Sequence, residues 1–539
     1  MRNKLLAVVV VSSIVALLGI SGSAQAQTQG SPAIPEYQYP SEEAAPSVNP
    51  KMGKFIDTES DLVELVLSKA VWGDYNNDGN LDMLLIGIDR DLNRFTKLYR
   101  NVNNVFTQVD AGLTGVSNGD AAWGDYDKDG DLDLVVTGND SSSTAISKIY
   151  RNDGMFVDIN AGLMPLDHSS VAWGDSDNDG DLDLILTGLD SNDNSHTCFY
   201  RNDNGTFTLV PIALQGAGIG SVAWGDYNND GFLDILLTGF VSNNRTKIMK
   251  VYENDRGNYF HQAFRAVGVD YGNAAWGDYD NDGYLDIAVI GISMAGEYIA
   301  TVYRNNAGQS FTEIKSGLPP HGYSSVAWGD YDNDGYADIL LTGFNGNDPD
   351  SEVYRYNPET GSFETIEASL TGVCYGNAAW GDFNHDGYLD VALTGSTSAM
   401  PGSYSTSKIY YNNGDFFGLP PNTPPSAPTN LFALADYDQD VLLMWFSSTD
   451  EQTSQKGLSY NIFIGTEPTL GNIVSPMAEL QPGEGNGWRR IVDMGSKGKN
   501  SFFEIFDLPE GDYYWGVQAV DTAFAGSAFP VSTFSIHKN

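Results

Sequence analysis

The chain has 539 residues, with 71 acids against 28 lysines and arginines and a formal charge of −43. That balance argues against nucleic acid and against an anionic membrane surface as partners, because affinity for either comes mainly from basic side chains facing phosphates. With only two cysteines, Cys198 and Cys374, a disulfide framework is not what holds a chain of this length together.

Taken in order, Arg2 and Lys4 precede an apolar run from Leu5 to Ile20, and Ala24-Gln-Ala26 supplies small residues for cleavage. This pattern predicts a secretory signal peptide over 1–26, cut near Ala26. The run is short for a membrane span and contains Ser12 and Ser13, so export without membrane insertion is expected. The expected location is extracellular or periplasmic. Residues 27–51 are rich in Pro, Ser and Glu and read as a flexible leader.

From 52 to 419 the chain repeats itself seven times, marked by Trp72, Trp123, Trp173, Trp224, Trp276, Trp328 and Trp380. A period of 50 to 52 residues points to packed supersecondary units. Each unit reads as four short strands. In the fifth these are Asn273–Trp276, Leu285–Ile290, Ile299–Tyr303 and Ser310–Ile314. The first is rich in small residues, and the second reads as a continuous apolar run, as a strand covered on both faces must be. The fold class expected is all-β, with the repeats forming a seven-bladed β-propeller. A Phe stands 17 residues before most of the tryptophans, and Phe55 has that relation to Trp72 with no complete unit before it. Phe55-Ile-Asp-Thr58 is therefore expected to be the outermost strand of the last unit, closing the ring. The last unit's own candidate, Phe416-Phe417, runs at once into Gly-Leu-Pro-Pro.

After each Trp-Gly comes an acidic loop. Its position 1 is Asp74, Asp125, Asp175, Asp226, Asp278, Asp330 or Asp382. Position 3 is Asn76, Asp127, Asp177, Asn228, Asp280, Asp332 or Asn384. Position 5 is Asp78, Asp129, Asp179, Asp230, Asp282, Asp334 or Asp386. Position 9 is Asp82, Asp133, Asp183, Asp234, Asp286, Asp338 or Asp390, and Gly always holds position 6. Alternate oxygen donors on a short loop, with Gly at the sharp turn, suit a hard cation such as Ca²⁺, and the carbonyl of position 7 could add another oxygen. A lone Asp-Gly could be a bare hairpin turn. Seven copies that all keep oxygen donors argue otherwise, since crowded carboxylates repel without a cation. Up to seven Ca²⁺ ions are expected, one per loop. These positions hold 25 of the 71 acids, so the charge is largely local in origin.

The flanks of these loops read as strands, which excludes an EF-hand. The units resemble the FG-GAP or VCBS repeats of integrin α-subunit heads and of many secreted bacterial proteins. The resemblance implies Ca²⁺ between the first and second strands of a blade, on the face away from the ligand. Residues 420–427, with Pro420-Pro421 and Pro424-Pro425, read as a linker. Residues 428–539 resemble a fibronectin type III domain through Pro428-Thr-Asn-Leu431, Val441–Trp445, Tyr460–Ile464 and Leu508–Val520. That likeness implies a β-sandwich serving as spacer or interaction module.

No nucleophile signature or paired-His metal motif appears, and no unit carries a long insertion. The expectation is a monomeric, non-catalytic adhesin or recognition module for an extracellular glycan or protein. A propeller-based polysaccharide-degrading enzyme and a purely structural scaffold are the alternatives. Ligand is expected where the units stop agreeing, at the segments leading into the first strands. Five residues before each Trp stand Leu67, Asn118, His168, Ile219, Tyr271, Tyr323 and Tyr375. His168, Tyr271, Tyr323 and Tyr375 offer flat amphipathic faces for a sugar or polar peptide. The Asn and Ser three residues before Trp are expected to serve as its hydrogen-bond partners.

Overall fold

The computed structural model describes residues 55–537, apart from 258, 400–403, 415–418, 436–438 and 481–486. The signal peptide and leader (1–26 and 27–51), residues 52–54 and Phe416-Phe417 lie outside the described residues. Among the described residues the regular elements are all strands.

Each repeat is four antiparallel strands paired in chain order. In the fifth they are Ala274–Gly277, Asp286–Ser293, Tyr298–Asn305 and Phe311–Ile314. Trp276 stands opposite Ile287 and Gly277 opposite Asp286. Composition explains the layering. Ala-Ala-Trp-Gly is small enough to crowd at the centre. Every residue of the second strand of the third repeat, Asp183–Leu189, is buried. The outermost strand places Thr312 and Glu313 in water.

Neighbouring repeats meet Trp against Gly. A Cβ on Gly73 would stand 2.5 Å from the Trp123 ring, and the same collision recurs at each junction until Gly381 faces Trp72 at 2.8 Å. The cycle of contacts returns to its start. Several of the indoles also donate backwards, Trp173 to the Ala122 carbonyl at 3.2 Å and Trp328 to that of Ala275 at 3.1 Å. Strand pairing closes the same ring: Phe55–Asp57 lies antiparallel to Ser405–Asn412 as the fourth strand of the last repeat. This is the arrangement of a repeat β-propeller.

The two cysteines are buried and unpaired. A second inter-repeat lock sits at the end of the third strands, where six repeats read Tyr-x-Asn. The Asn305 amide donates to the Tyr227 carbonyl of the preceding repeat at 2.8 Å and to its own Leu285 carbonyl at 2.9 Å. Asn101 bonds across to Phe383 at 3.0 Å, and Asn412 to Tyr331 at 2.8 Å. Each such amide satisfies buried carbonyls that no strand reaches.

The tail builds two three-stranded sheets. One holds Thr429–Ala435, Val441–Phe446 and Phe502–Ile505, the other Ser459–Gly465, Gly511–Val520 and Val531–Ile536. Trp445, Ile462, Phe503, Trp515 and Val517 are buried between them. The Tyr513 hydroxyl donates to the Pro509 carbonyl at 2.8 Å.

The tail is not a free spacer. Asp74 donates its N–H to the Arg490 carbonyl at 2.9 Å, Phe506 to Asn178 at 3.2 Å, and Asp330 to Thr522 at 3.2 Å. The linker is tied down as well, with the Asn422 N–H on the Gly387 carbonyl at 2.9 Å. Prolines at 420–425 predict a break in the regular structure but say nothing of what it packs against. Here they lead straight onto the acidic-loop end of the ring.

Candidate functional site

The acidic loops are organised by their own backbone. In the fifth repeat Asp278 accepts the N–H groups of Asp282 and Gly283, both at 3.1 Å. Asp286, at position 9, accepts from Asn305 N–H at 2.6 Å and from Tyr279 N–H at 3.3 Å, tying the loop to the third strand. The other repeats share the third-strand bond: Asp82 holds Asn101, Asp133 holds Asn152, Asp390 holds Asn412. In repeats two, three, five and six, three carboxylates of the loop bring oxygens within 4.8 Å of one another.

Two features test whether a cation fits. Asn76 Oδ1, Asp125 Oδ1, Asp127 Oδ1 and Asp177 Oδ1 are buried without a hydrogen-bond partner. Burial also pushes Asp125 up to about 7, Asp82 to about 8 and Asp133 to about 9. Asp234, Asp286 and Asp338 are raised well above the carboxylate range for the same reason. Buried acids with unused lone pairs are a donor set that a divalent ion would complete.

The loops differ in what neutralises them. The arginine that follows the third-strand Tyr reaches back to its own loop in four repeats. Arg100 holds Asp78 at 2.7 Å, Arg201 holds Asp177 at 3.0 Å, and Arg304 holds Asp280 at 2.6 Å. Arg355 holds Asp332 at 2.5 Å and also Asp334. In the second repeat Arg151 turns instead to Asp153 at 2.6 Å, and the fourth and seventh carry Glu253 and Tyr411 at that place.

The opposite end is the mouth. All seven residues five before the tryptophans have left-handed backbone, with φ between 43° at His168 and 57° at Ile219. Their backbones are linked in part: Ile219 N–H donates to the His168 carbonyl at 2.8 Å, and Tyr271 N–H to that of Ile219 at 2.9 Å. Such conformations cost free energy in side-chain-bearing residues and persist only where the surroundings hold them. Tyr271, Tyr323 and Tyr375 come together: ring centroids are 5.0 Å apart in the first pair and 4.4 Å in the second. Tyr271 remains exposed. His168 does not join them, because Ile219 stands between and its ring bonds Asp167 at 2.9 Å.

Most of the residues three before Trp are not free partners for a ligand. Asn273 Oδ1 accepts the Val326 N–H at 2.8 Å, Ser221 Oγ that of Ala274 at 2.9 Å, and Asn377 Oδ1 that of Ala70 at 2.7 Å. With Asp120 and Ser170, which accept the Val171 and Val222 N–H groups, they staple five of the seven first strands to the next. Lys69 cannot accept, so it pairs with Asp120 at 2.9 Å. Below the mouth the channel keeps cavities of about 360 and 330 Å³, lined by the tryptophans and floored by Val492, Asp493, Met494 and Lys499 of the tail.

Sequence reasoning missed the Tyr-x-Asn lock and the tail's seat on the loops. The first left a signal, since the triplet ends 28 to 32 residues after each Trp, with Tyr356 replacing Asn once. The second left none.

A family model described as FG-GAP-like repeat matches residues 74–136, 125–186, 177–237 and 278–341. No curated protein matches the sequence. Among solved structures the chain is similar to the exotype rhamnogalacturonan lyase YesX, at 14% identity and TM-score 0.39, covering 64% of this chain and 72% of that one. It is similar to a fungal alcohol oxidase in complex with copper, at 13% identity and TM-score 0.44, covering 90% and 100%. It is also similar to the Aleuria aurantia lectin in complex with α-methyl-L-fucoside, at 11% identity and TM-score 0.34, covering 57% and 98%.

Proposed function

We propose that this chain is an exported, calcium-stabilised recognition module: a seven-bladed β-propeller that binds an extracellular glycan or protein at the mouth, with a fibronectin type III-like tail on its other end. The observation that carries the reading is the wall of Tyr271, Tyr323 and Tyr375, set on a rim of constrained backbone. Clustered tyrosine rings, tilted 58° and 33° to one another, pair apolar faces with hydroxyls and suit a sugar or a polar side chain. Binding groups held on a rigid frame lose little freedom when a ligand arrives.

The second strands return to this same end, because Asp270, just before the first strand of repeat five, pairs with Ile292 at the close of the second. Exposed Leu92, Met294 and Tyr404 follow second strands and so add apolar surface around the mouth. In the loops, positions 1, 3, 5 and 9 would hold Ca²⁺, which would offset the repulsion among buried carboxylates.

The test is a binding screen against extracellular glycans and proteins, with the parent and the triple variant Tyr271→Ala, Tyr323→Ala, Tyr375→Ala. At least a tenfold loss of affinity is expected, with the calcium-dependent melt retained. Full affinity in a folded triple variant would place the site elsewhere.

A further inference from the structure

Five side chains from three parts of the tail land on the same atom of five successive loops, Oδ2 of the position-1 Asp. Ser475 reaches Asp125 at 2.5 Å, Asn500 reaches Asp226 at 2.7 Å, and Thr522 reaches Asp330 at 2.9 Å. The other two donors are charged. Lys497 Nζ lies 2.8 Å from Asp175, and Lys499 Nζ lies 3.3 Å from Asp278.

Both ammonium groups are almost wholly buried, their side chains 7% and 6% exposed. Lys497 also stands over the Phe503 ring at 4.1 Å, a cation–π contact that helps seat it. These two loops are the ones in which a tail lysine joins the strand arginine. Asp177 has Arg201 at 3.0 Å, and Asp280 has Arg304 at 2.6 Å. Each of these two loops therefore meets two tethered positive charges, whereas the position-1 Asp of the second, fourth and sixth takes a neutral donor from the tail; Arg490 reaches the second loop only at the Gly130 carbonyl.

We infer that Lys497 and Lys499 are built-in competitors for the divalent ion, so that the third and fifth loops hold either Ca²⁺ or a seated lysine. The inference rests on the calcium reading of the loops. A divalent ion on the same carboxylate as a buried ammonium would repel it strongly, with little solvent to screen the pair. In the third loop Asp177 Oδ1 stays buried and unpartnered, so an oxygen is waiting for an ion that displaces Lys497. By linkage, whatever seats the tail lowers calcium affinity at these two loops, and calcium there loosens the tail by the same factor. The neutral donors at the second, fourth and sixth loops act in the other direction, orienting a ligand carboxylate from behind as outer-shell partners do.

The experiment uses the full chain, the double variant Lys497→Met, Lys499→Met, and Ser475→Ala as a neutral-donor control. Bound calcium is counted by equilibrium dialysis and atomic absorption at a fixed submillimolar free concentration, and backbone hydrogen exchange over 489–500 is followed as calcium is raised. The double variant is expected to hold two more ions per chain than the parent, while Ser475→Ala gains none. Exchange over 489–500 in the parent is expected to rise with calcium. Equal counts in parent and double variant, with calcium bound in both, would overturn the competition alone. A gain as large in Ser475→Ala would overturn it too, by tracing the extra ions to undocking rather than to charge. Absence of bound calcium in all three chains would overturn the metal reading itself, and the inference with it.

Discussion

Single residues fix how the repeats fit, and they do so by subtraction. Gly381 is Gly because the Trp72 indole occupies the space a Cβ would need, 2.8 Å away. Gly381→Ala must displace an indole at the closing junction, at a cost of about 1–3 kcal/mol for overpacking. The expected result is a melting temperature lower by several degrees, measured by scanning calorimetry. Gly112→Ala is the comparison: nothing lies within 4 Å and only its φ of 64° is at issue, so about 1 kcal/mol is expected. Equal effects would mean that backbone strain, not crowding, makes the junction glycines necessary. Part of this was legible beforehand, since Trp-Gly recurs at every period. The Asn and Ser three before Trp were legible as a variable set but misread as free. Nothing in one strand tells that Asn273 is spent on Val326 of the next repeat.

At the scale of the element, the acidic loop is the part the sequence spells most fully, because its donors, turn and strands all lie within about a dozen residues. The two-residue spacing of the acids is itself the geometry. If the loops hold calcium, chelation should lower the melting temperature strongly, and Ca²⁺ should restore it far better than Mg²⁺. Mass action gives about 2.7 kcal/mol for each ion present at a hundred times its Kd. At millimolar calcium, where the ion can displace Lys499 from the fifth loop, Asp282→Ala should cut bound calcium by about one ion per chain, while Asp255→Ala, outside any such loop, should leave the count unchanged. A melt indifferent to chelation would sink the stabilising role. The mouth was only half legible. Three tyrosines in register predict a shared face, but Ile219 between them and His168 breaks the set that chemistry alone would group.

Over the whole molecule, closure was readable from Phe55 standing without a unit of its own, and the structure pairs it with Asn412. Removing Phe55–Asp57 leaves Ser405–Asn412 as a bare edge and should lower the melting temperature and promote self-association, checked by light scattering beside the melt. An unchanged melt would mean the Trp72 and Gly381 contact suffices to close the ring. The seat of the tail was not readable at all. Residues 466–501 lack periodicity, and their Lys, Ser and Asn look like surface until the acidic end of the ring stands opposite them.

The pairing of Phe55–Asp57 with Ser405–Asn412 also sets an order in time. Thr58 and Ile409, hydrogen-bonded at 2.9 Å, are 351 residues apart. Synthesis delivers one partner early and the other after about three quarters of the chain, so single repeats can form while the circle stays open. Contacts this distant are the slowest to make. Until the last repeat emerges, the molecule is an arc with two unfinished ends.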